Sequence, residues 1–221
     1  MADPMRPRRT YPPVVVAAVA VVGSITLTAC GRGGGASAPG ATEVPERAGV
    51  VRDVQPDVSS VSLPDAAAGG VPFNFRADPG HVLLAYFGYT GCPDVCPTTL
   101  GDLKRARAGL AEEDRDRMQV AMVTVDPDRD TAEMLTSYLA HFFDDAHALR
   151  TDDPAQLAAA KAAFGVESRR NATSDPGVFT FDHTATVFAV DETGHVVLEW
   201  PYGTTSSAIA ADVSTLLEER S

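Results

Sequence analysis

The sequence predicts an α/β fold, a three-layer sandwich whose central mixed β-sheet is flanked by helices. Two apolar runs, residues 82–87 and 118–125, are typical of strands that are buried on both faces. Helical patterns follow them, so that helices alternate with strands along the chain. Near the end of the chain, strand-like runs on either side of residues 191–194 predict a late antiparallel hairpin, with Gly194 at the position that requires a positive φ.

The first elements of the domain are short. From Gly49 the chain is rich in valine and alternates weakly, so residues 50–61 predict one or two edge strands. Residues 72–75 predict another short strand or a turn. The helix after the first buried strand runs from about residue 97 to 110, with Pro97 at its first position, where the missing N–H is harmless.

The middle of the chain alternates between polar turns and regular elements. The charged segment 112–117 predicts a solvated loop before the second buried strand. Asp130, with a glutamate three residues later, resembles a capping box, so the second helix covers about residues 131–140. A short third strand over residues 148–150 precedes a helix over residues 154–164, which an Asp-Pro pair opens and a glycine closes.

The last part of the chain returns to strands after an irregular segment, residues 167–177. A strand over residues 178–181 leads to His183, and the late hairpin follows over residues 185–190 and 196–200. A closing helix covers about residues 204–218. A pair of cysteines at the end of the first buried strand, together with the late hairpin, predicts a thioredoxin-like architecture.

Residues 1–29 predict a secretory signal peptide. Arginines precede an apolar run over residues 14–27, which is shorter than the roughly 20 residues of a membrane span. The small residues before Cys30 resemble a bacterial lipobox, which implies cleavage and lipidation at Cys30; a plain signal peptide or short anchor is the alternative. Residues 30–48 then predict a flexible tether and residues 49–221 the folded domain. The protein is therefore expected on the extracytoplasmic face of a bacterial cell membrane, held by lipid.

The net charge and the cysteine content exclude some classes of function and favour others. The formal net charge of −12 argues against nucleic-acid binding and against a polybasic membrane patch. Three cysteines are an odd number for an exported protein, and lipidation of Cys30 leaves Cys92 and Cys96 as a pair. Outside the cytoplasm, such a dithiol needs a reductant or a metal to stay reduced.

Cys92 and Cys96 stand at the turn from the first buried strand to the first helix. At this spacing both sulfurs fall on one face, and the amides of a helix N-terminus stabilise thiolate. Two soft thiolates suit Cu(I) or zinc, and they can also close to a disulfide. Plain oxidoreductases mostly have two residues between their cysteines, often with Trp before the first; here there are three, and Gly91 precedes Cys92.

A selective copper site needs a third ligand, for which imidazole is the usual choice. His183 lies between Asp182 and Thr184 at the start of a strand, near the end of the sheet that carries the cysteines. The chain has no proline between residues 176 and 201, so the cis-proline that shields the thiols of thioredoxins has no counterpart. Position alone leaves it open whether His183 is a ligand. The remaining histidines are interpreted as exposed or locally bonded: His81, His141, His147 and His195.

Three segments in this order resemble the Sco/SenC family: residues 86–97 with the two cysteines, residues 123–131, and residues 182–184. The resemblance covers about residues 50–218. The family has a thioredoxin-like fold, binds copper through two cysteines and one histidine, and is implicated in assembling the dinuclear copper centre of cytochrome c oxidase subunit II. This chain departs from the family at Gly91, where a bulkier residue or histidine is frequent.

Carried over to this sequence, the resemblance implies Cys92, Cys96 and His183 as copper ligands. The ion is Cu(I), with Cu(II) accommodated by an extra ligand. Asp182 would fix the imidazole ring, or alternatively cap the start of its strand. Residues 126–131 are interpreted as a structural turn and helix cap near the site.

Two functional hypotheses follow. The first is a membrane-tethered copper chaperone, not an enzyme in the strict sense, which receives copper from a donor chaperone. It would deliver copper to cytochrome c oxidase subunit II or another acceptor, or prepare the acceptor's thiols. The second is a thiol-disulfide reductase of exported proteins, in which Cys92 attacks and Cys96 resolves. A peroxide-reducing or redox-signalling relative is a weaker third hypothesis.

Overall fold

A computed structural model describes residues 47–172 and 179–220 of the chain. The predicted signal peptide, Cys30 and most of the predicted tether lie outside the described residues, so these assignments and their boundaries stay predictions. No helix within the described ranges is both long and apolar enough to cross a membrane.

A seven-stranded mixed sheet lies at the centre of the described domain, with the strand order β2-β1-β5-β4-β3-β8-β9. Strands β3, β4 and β5 run parallel, and the remaining neighbours pair antiparallel. Strands β6 and β7 pair with each other in a separate two-stranded sheet. The strands are β1 Ser62–Asp65, β2 Val71–Asn74, β3 Val82–Gly88, β4 Met118–Thr124, β5 His147–Leu149, β6 Ser168–Ala172, β7 Phe179–His183, β8 Thr186–Val190 and β9 Val196–Pro201.

Helices flank this sheet, and the predicted α/β sandwich is confirmed. Helix α1 packs against α5, while α4 packs against β1 and α3 against β5. A single 3-10 turn, Ala66–Ala68, follows β1. The helices are α1 Val95–Gly109, α2 Glu112–Arg115, α3 Ala132–Ala140, α4 Pro154–Phe164 and α5 Ser206–Glu218.

The core is built around β3, in which every residue from Val82 to Gly88 is buried. Phe164 of α4 meets Phe75, Phe87 and Phe188 edge to face, with ring centroids 4.9, 5.2 and 5.3 Å apart. Aromatic pairs of this geometry contribute about 0.5–1.5 kcal/mol each beyond the area that they bury. The cluster fixes the end of β3, and the cysteine loop begins there.

The valine-rich segment does not form the predicted edge strands. It makes two isolated bridges, Val50 with Glu199 and Asp57 with His195. Val50 is 54% exposed and Val54 82% exposed, whereas Val58 is fully buried, so the valines do not share one buried strand face. Strand β1 comes only after this segment, where Leu63 and Asp65 are buried.

Two polar segments are more regular than predicted. Residues 112–115, expected as a loop, form α2, whose first turn holds three acidic residues that the helix N-terminus stabilises. Residues 168–172, expected as irregular, form β6, because the antiparallel pairing with β7 supplies the hydrogen bonds. Neither segment carries the apolar periodicity on which the predictions depended.

Helix starts differ in detail from the predictions. Thr131, and not Asp130, caps α3: its hydroxyl accepts from the amide of Met134 at 3.1 Å. Helix α1 begins at Val95, so Pro97 is its third residue, still within the first turn, whose N–H groups have no partner within the helix. The predicted start and end of α4 are confirmed: Asp153 accepts from the amide of Ala155, and Gly165 adopts φ 69°.

Candidate metal centre

The structure brings Cys92, Cys96 and His183 together. Cys92 lies in the loop after β3, Cys96 is the second residue of α1, and His183 is the last residue of β7. The two sulfurs and an imidazole nitrogen all lie within 4.8 Å of one another. In the described ranges, this is the one cluster of three or more His, Cys, Asp or Glu side chains that could hold a metal ion.

A buried carboxylate holds the loop before the cysteines in place. Asp130 is 1% exposed, and its two oxygens accept from the amide of Thr90 at 3.0 Å and from the Thr90 hydroxyl at 2.5 Å. The hydroxyl of Thr124, at the end of β4, donates to the same carboxylate at 2.5 Å. The sequence placed Asp130 in a structural turn near the site but missed this role, because the helix-cap pattern gave its side chain another partner.

Gly88 gives Cys96 room at the end of β3. A Cβ atom at this position would lie 2.8 Å from Cε1 of Tyr86, 3.0 Å from Sγ of Cys96 and 3.1 Å from Cε of Met122. The contact at 2.8 Å is shorter than Cβ atoms tolerate and the other two are tight, so a side chain here would have to displace its neighbours. The predicted end of the strand at Gly88 is therefore also the reason that the buried sulfur can approach the sheet.

The two thiols have unlike environments. Both are free, with Cys92 partly exposed and Cys96 fully buried. The amide of Cys96 points at Sγ of Cys92, 3.3 Å away. Hydrogen bonding from the Cys96 thiol lowers the pKa of Cys92 to about 3, and the same contact, together with burial, raises the pKa of Cys96 well above its ordinary value. Cys92 is thus the thiolate of the pair, and Cys96 keeps its proton until an ion or an oxidant removes it.

His183 presents a nitrogen lone pair to the cysteines. Its Nε2 lies 3.4 Å from Sγ of Cys96, and its Nδ1 lies 3.2 Å from the carbonyl oxygen of Thr184. A carbonyl can only accept, so this contact places the proton on Nδ1 and leaves Nε2 free to act as a ligand. Tyr86 and Tyr89 meet the imidazole edge to face, each with a centroid distance of 6.0 Å.

Of the two roles that the sequence left open for Asp182, fixing the imidazole ring and capping the strand, the described contacts do not support the first. Its exposed carboxylate accepts from Arg169 at 3.1 Å, and hydrogen bonds from Asn171 and Arg169 lower its pKa. Successive side chains of a strand point to opposite faces, so Asp182 and its neighbour His183 in β7 point apart. The carbonyl of Thr184 takes the role that the sequence assigned to Asp182.

Strands β6 and β7 together form an arm beside the site. Two residues that the sequence did not single out bind this arm. The hydroxyl of Tyr89 accepts from the amide of Phe181 at 3.3 Å. Arg129 donates to the carbonyl of Phe179 at 3.1 Å, lies over its ring at 3.8 Å, and pairs with the buried Asp126. The sequence signals for these contacts are the aromatic residues that flank the cysteines and an arginine in the turn after β4.

The other histidines lie outside the cluster, and three of them are locally bonded, as predicted, whereas His147 bonds to a distant residue. His81 contacts the carbonyl of Pro79, and His141 contacts that of Ser137 in its own helix. His147 bonds to Asp65 at 2.8 Å, while His195 bonds within the hairpin turn.

A cavity of about 770 Å³ opens beside His183. Its lining is mostly polar and carries both signs of charge: Lys161, Val166, Glu167, Ser168, Arg169, Asp182, His183 and Thr184. The imidazole is therefore reachable from outside the domain on the side of β6 and α4.

Comparisons with known proteins agree with this geometry. The sequence model of the SCO1/SenC family matches residues 68–218. The solution structure of apo Sco1 protein from Thermus thermophilus is 34% identical, with a TM-score of 0.66, over 77% of this chain and 97% of that one. ScoI from Bradyrhizobium japonicum, solved with copper bound, is 30% identical, with a TM-score of 0.60, over 73% and 97% of the two chains.

A similar relative by sequence is the SCO2-like protein of Rickettsia prowazekii, 34% identical over 57% of this chain. The alignment covers 60% of that relative, and the alignment with a putative copper-binding protein from Stutzerimonas stutzeri covers 35% of it. The chain thus spans less than two thirds of the length of these curated relatives.

Proposed function

The chain belongs to the SCO1/SenC family, and on this basis we propose that it is a copper-binding chaperone whose cargo ion is held by Cys92, Cys96 and His183. One observation carries the proposal: the ligand atoms of these three residues lie within 4.8 Å of one another. Two sulfurs and one imidazole nitrogen are the donors that Cu(I) prefers, so the cluster fits the ion. The fold is the thioredoxin-like sandwich of its relatives.

The surroundings favour a thiolate-bound cation. Cys96 lies in the first turn of α1, where the positive end of the helix dipole offsets the negative charge of two thiolates. Cys92 already has a low pKa, so an incoming Cu(I) displaces a proton only from Cys96. The neutral imidazole of His183 completes a three-coordinate site.

The site is also placed for exchange. Cys92 is partly exposed, and the cavity beside His183 reaches the imidazole from a second side. A ligand from a partner protein can therefore replace one of the three donors while the other two still hold the ion. Copper is cargo in this scheme, taken from a donor chaperone and passed to an acceptor without catalytic turnover.

The remaining parts of the proposal come from the sequence. The lipobox-like residues before Cys30 support a lipid anchor on the extracytoplasmic face of a bacterial membrane. A membrane-held chaperone meets membrane-bound acceptors, and the family resemblance supports cytochrome c oxidase subunit II, with its dinuclear copper centre, as the acceptor. Palmitate labelling of the chain expressed in bacteria tests the anchor: label must be absent from the Cys30→Ser variant.

Copper binding is tested on the reduced full chain with Cys30 replaced by serine, so that only Cys92 and Cys96 supply thiols. Competition against a Cu(I) chelator should give one ion per chain. Substitution of any of the three ligands should weaken binding by more than the roughly 100-fold that losing an outer contact costs. His141→Ala is the matched control, because that imidazole bonds to its own helix. A His183→Ala variant that binds as tightly as the parent would refute the ligand assignment.

The unlike thiols favour thiol-disulfide reduction as a second candidate function. The partly exposed thiolate of Cys92 would attack a partner disulfide, forming a mixed disulfide and releasing one partner thiolate. Cys96 would then attack Sγ of Cys92, closing the Cys92–Cys96 disulfide and releasing the second partner thiol, so that two electrons pass to the partner. Buried Cys96 is suited to this resolving step.

The two candidate functions separate in one variant. His183→Ala should lose tight copper binding and retain disulfide exchange with a small disulfide substrate. Cys96→Ser should accumulate the mixed disulfide on Cys92, which mass spectrometry detects. Failure to trap any mixed disulfide would exclude the reductase chemistry and leave the chaperone proposal intact.

A further inference from the structure

The hydroxyl of Tyr86 is buried next to the cysteines. Tyr86 is fully buried in β3, and among the described residues its Oη has no partner of good hydrogen-bond geometry. Leaving a buried polar group unpaired costs about 1–3 kcal/mol, so such a group invites an explanation. A volume-conserving phenylalanine would fill the same space without this cost.

The polar side chains beside that hydroxyl are those of Cys96 and Thr99. Cε1 of Tyr86 and Sγ of Cys96 both crowd the same point above Gly88, at 2.8 and 3.0 Å from where a Cβ would stand. Burial, followed by the proximity of Cys96, raises the pKa of Tyr86, so the phenol keeps its proton. The ring of Tyr86 also meets the imidazole of His183 edge to face, which places it against two of the three ligands.

We propose that Tyr86 is a positioning residue whose hydroxyl donates a hydrogen bond to Sγ of Cys96 when that sulfur binds copper as a thiolate. The inference rests on the proposed function. While Cys96 is a thiol, its sulfur is a weak acceptor and the hydroxyl of Tyr86 stays unpaired. Binding of Cu(I) displaces the thiol proton to solvent. The sulfur then carries a negative charge and accepts a hydrogen bond from the hydroxyl of Tyr86.

Two consequences follow for the ion. The hydrogen bond stabilises the thiolate of the buried Cys96, and it directs the lone pairs of Cys96 toward the other two ligands. It also withdraws electron density from sulfur, which makes the copper-bound thiolate harder to oxidise. Tyr86 therefore strengthens binding without touching the ion.

Thr99 is the competing partner. It lies one turn after Cys96 in α1 and is buried, and its hydroxyl donates to the carbonyl of Val95 at 2.9 Å, so its oxygen could accept from Tyr86. In that case the hydroxyl of Tyr86 would serve the fold alone and would be indifferent to copper.

The test compares Tyr86→Phe with Tyr138→Phe in the reduced chain that carries Cys30→Ser. Tyr138 is the matched control, since its hydroxyl is also a buried atom without a partner among the described residues. Tyr86→Phe should weaken Cu(I) binding roughly 10-fold, as losing an outer hydrogen bond to a ligand does. In the Cu(II)-loaded form it should also move the thiolate-to-copper absorption band to longer wavelength. Tyr138→Phe should change neither.

Equal affinity and an unmoved band in Tyr86→Phe would overturn the inference, as would the same changes in Tyr138→Phe. If Tyr86→Phe fails to fold, NMR of the unmodified tyrosine decides. One tyrosine hydroxyl proton, in contact with Cys96, must become protected from exchange when Cu(I) is added; its absence refutes the proposal. A parent chain that binds no copper would instead refute the proposed function.

Discussion

At the scale of single residues, Gly88 leaves the space that the buried sulfur of Cys96 occupies. The buried sulfur of Cys96, the ring of Tyr86 and the side chain of Met122 converge on the space that a side chain would need there. Immediately before Cys92, Gly91 has open surroundings: a Cβ would find its nearest neighbour, the ring of Tyr89, at 3.7 Å. The two glycines of the cysteine loop thus have different functions.

Gly88→Ala should therefore destabilise the domain by about 1–3 kcal/mol, the usual cost of overpacking, and weaken Cu(I) binding because Sγ of Cys96 must move. Gly91→Ala is the control and should leave the free energy of unfolding within about 0.5 kcal/mol of the parent. Urea unfolding measures both values. Equal stability of the two variants would show that the packing around Gly88 is not tight.

The low pKa of Cys92 predicts how its reactivity depends on pH. An ordinary thiol titrates near 8.5, whereas Cys92, with a pKa of about 3, is a thiolate at any higher pH. Alkylation of Cys92 by iodoacetamide in the metal-free protein should stay nearly constant from about pH 8 to pH 5. The same shift stabilises the folded state above the unfolded pKa, and this contribution is lost as the pH falls toward 3.

Peptide mapping by mass spectrometry reports the alkylation rate at each cysteine separately. Cys96, which is buried and has a raised pKa, is the internal control and should remain unmodified over the whole range. A rate at Cys92 that drops about tenfold per pH unit below pH 8 would mean that its thiol is ordinary.

At the scale of secondary-structure elements, the end of β4 and the cysteine loop are joined through one carboxylate. Asp130→Ala should leave three donors without their partner, the amide and hydroxyl of Thr90 and the hydroxyl of Thr124. The expected loss of stability is about 3 kcal/mol, together with weaker copper binding, because the loop before Cys92 loses its support.

Asp128→Ala is the control for this prediction, since Asp128 lies in the same turn and is exposed. It should change the free energy of unfolding, measured in urea, by less than about 0.5 kcal/mol. If Asp130→Ala proves as stable as Asp128→Ala, the buried network does not support the loop.

The elements that could be predicted from the sequence are those whose pattern is local. The apolar runs of β3 and β4 and the Asp-Pro start of α4 are visible within a few residues, and all three are confirmed. Strand β6 is not visible in this way, since it carries exposed arginines and owes its regularity to pairing with β7. The prediction that Asp130 caps a helix was wrong for a related reason, because its side chain binds tertiary partners, Thr90 and Thr124.

The residues of the site also differ in whether a local sequence pattern predicts them. The spacing of the two cysteines identifies them as a pair, and the position of His183 before the hairpin suggested a third ligand. Its orientation could not be predicted, because it depends on strand alternation in β7 and on a backbone carbonyl that no residue type encodes. The sequence shows Tyr86 only as a strand residue. That its buried hydroxyl has no partner of good geometry among the described residues follows from three-dimensional packing.

At the scale of the whole molecule, the site lies between two sheets. Cys96 and His183 are 87 residues apart in sequence, the first following the central sheet and the second ending the separate two-stranded sheet. Without an ion, contacts from Tyr89 and Arg129 hold the arm at the described residues. A bound ion adds a bond between the arm and the cysteine loop.

Copper loading should therefore slow amide exchange in Phe179–His183 as well as at the start of α1, because opening the arm would then require breaking a ligand bond. Hydrogen–deuterium exchange with and without Cu(I) measures this. In the His183→Ala variant the arm should exchange at the same rate with and without Cu(I). If Cu(I) slows exchange of the arm in that variant as much as in the parent chain, copper acts on the arm by another route.

X-ray absorption at the copper edge of the Cu(I)-loaded chain carrying Cys30→Ser tests the central claim most directly. The account predicts three-coordinate copper with two sulfurs at about 2.2–2.3 Å and one nitrogen at about 2.0–2.1 Å, the range of metal–thiolate and metal–imidazole bonds. The nitrogen should vanish in His183→Ala and persist in His141→Ala. A two-coordinate all-sulfur spectrum in the parent chain, or a nitrogen that survives the loss of His183, would contradict the account.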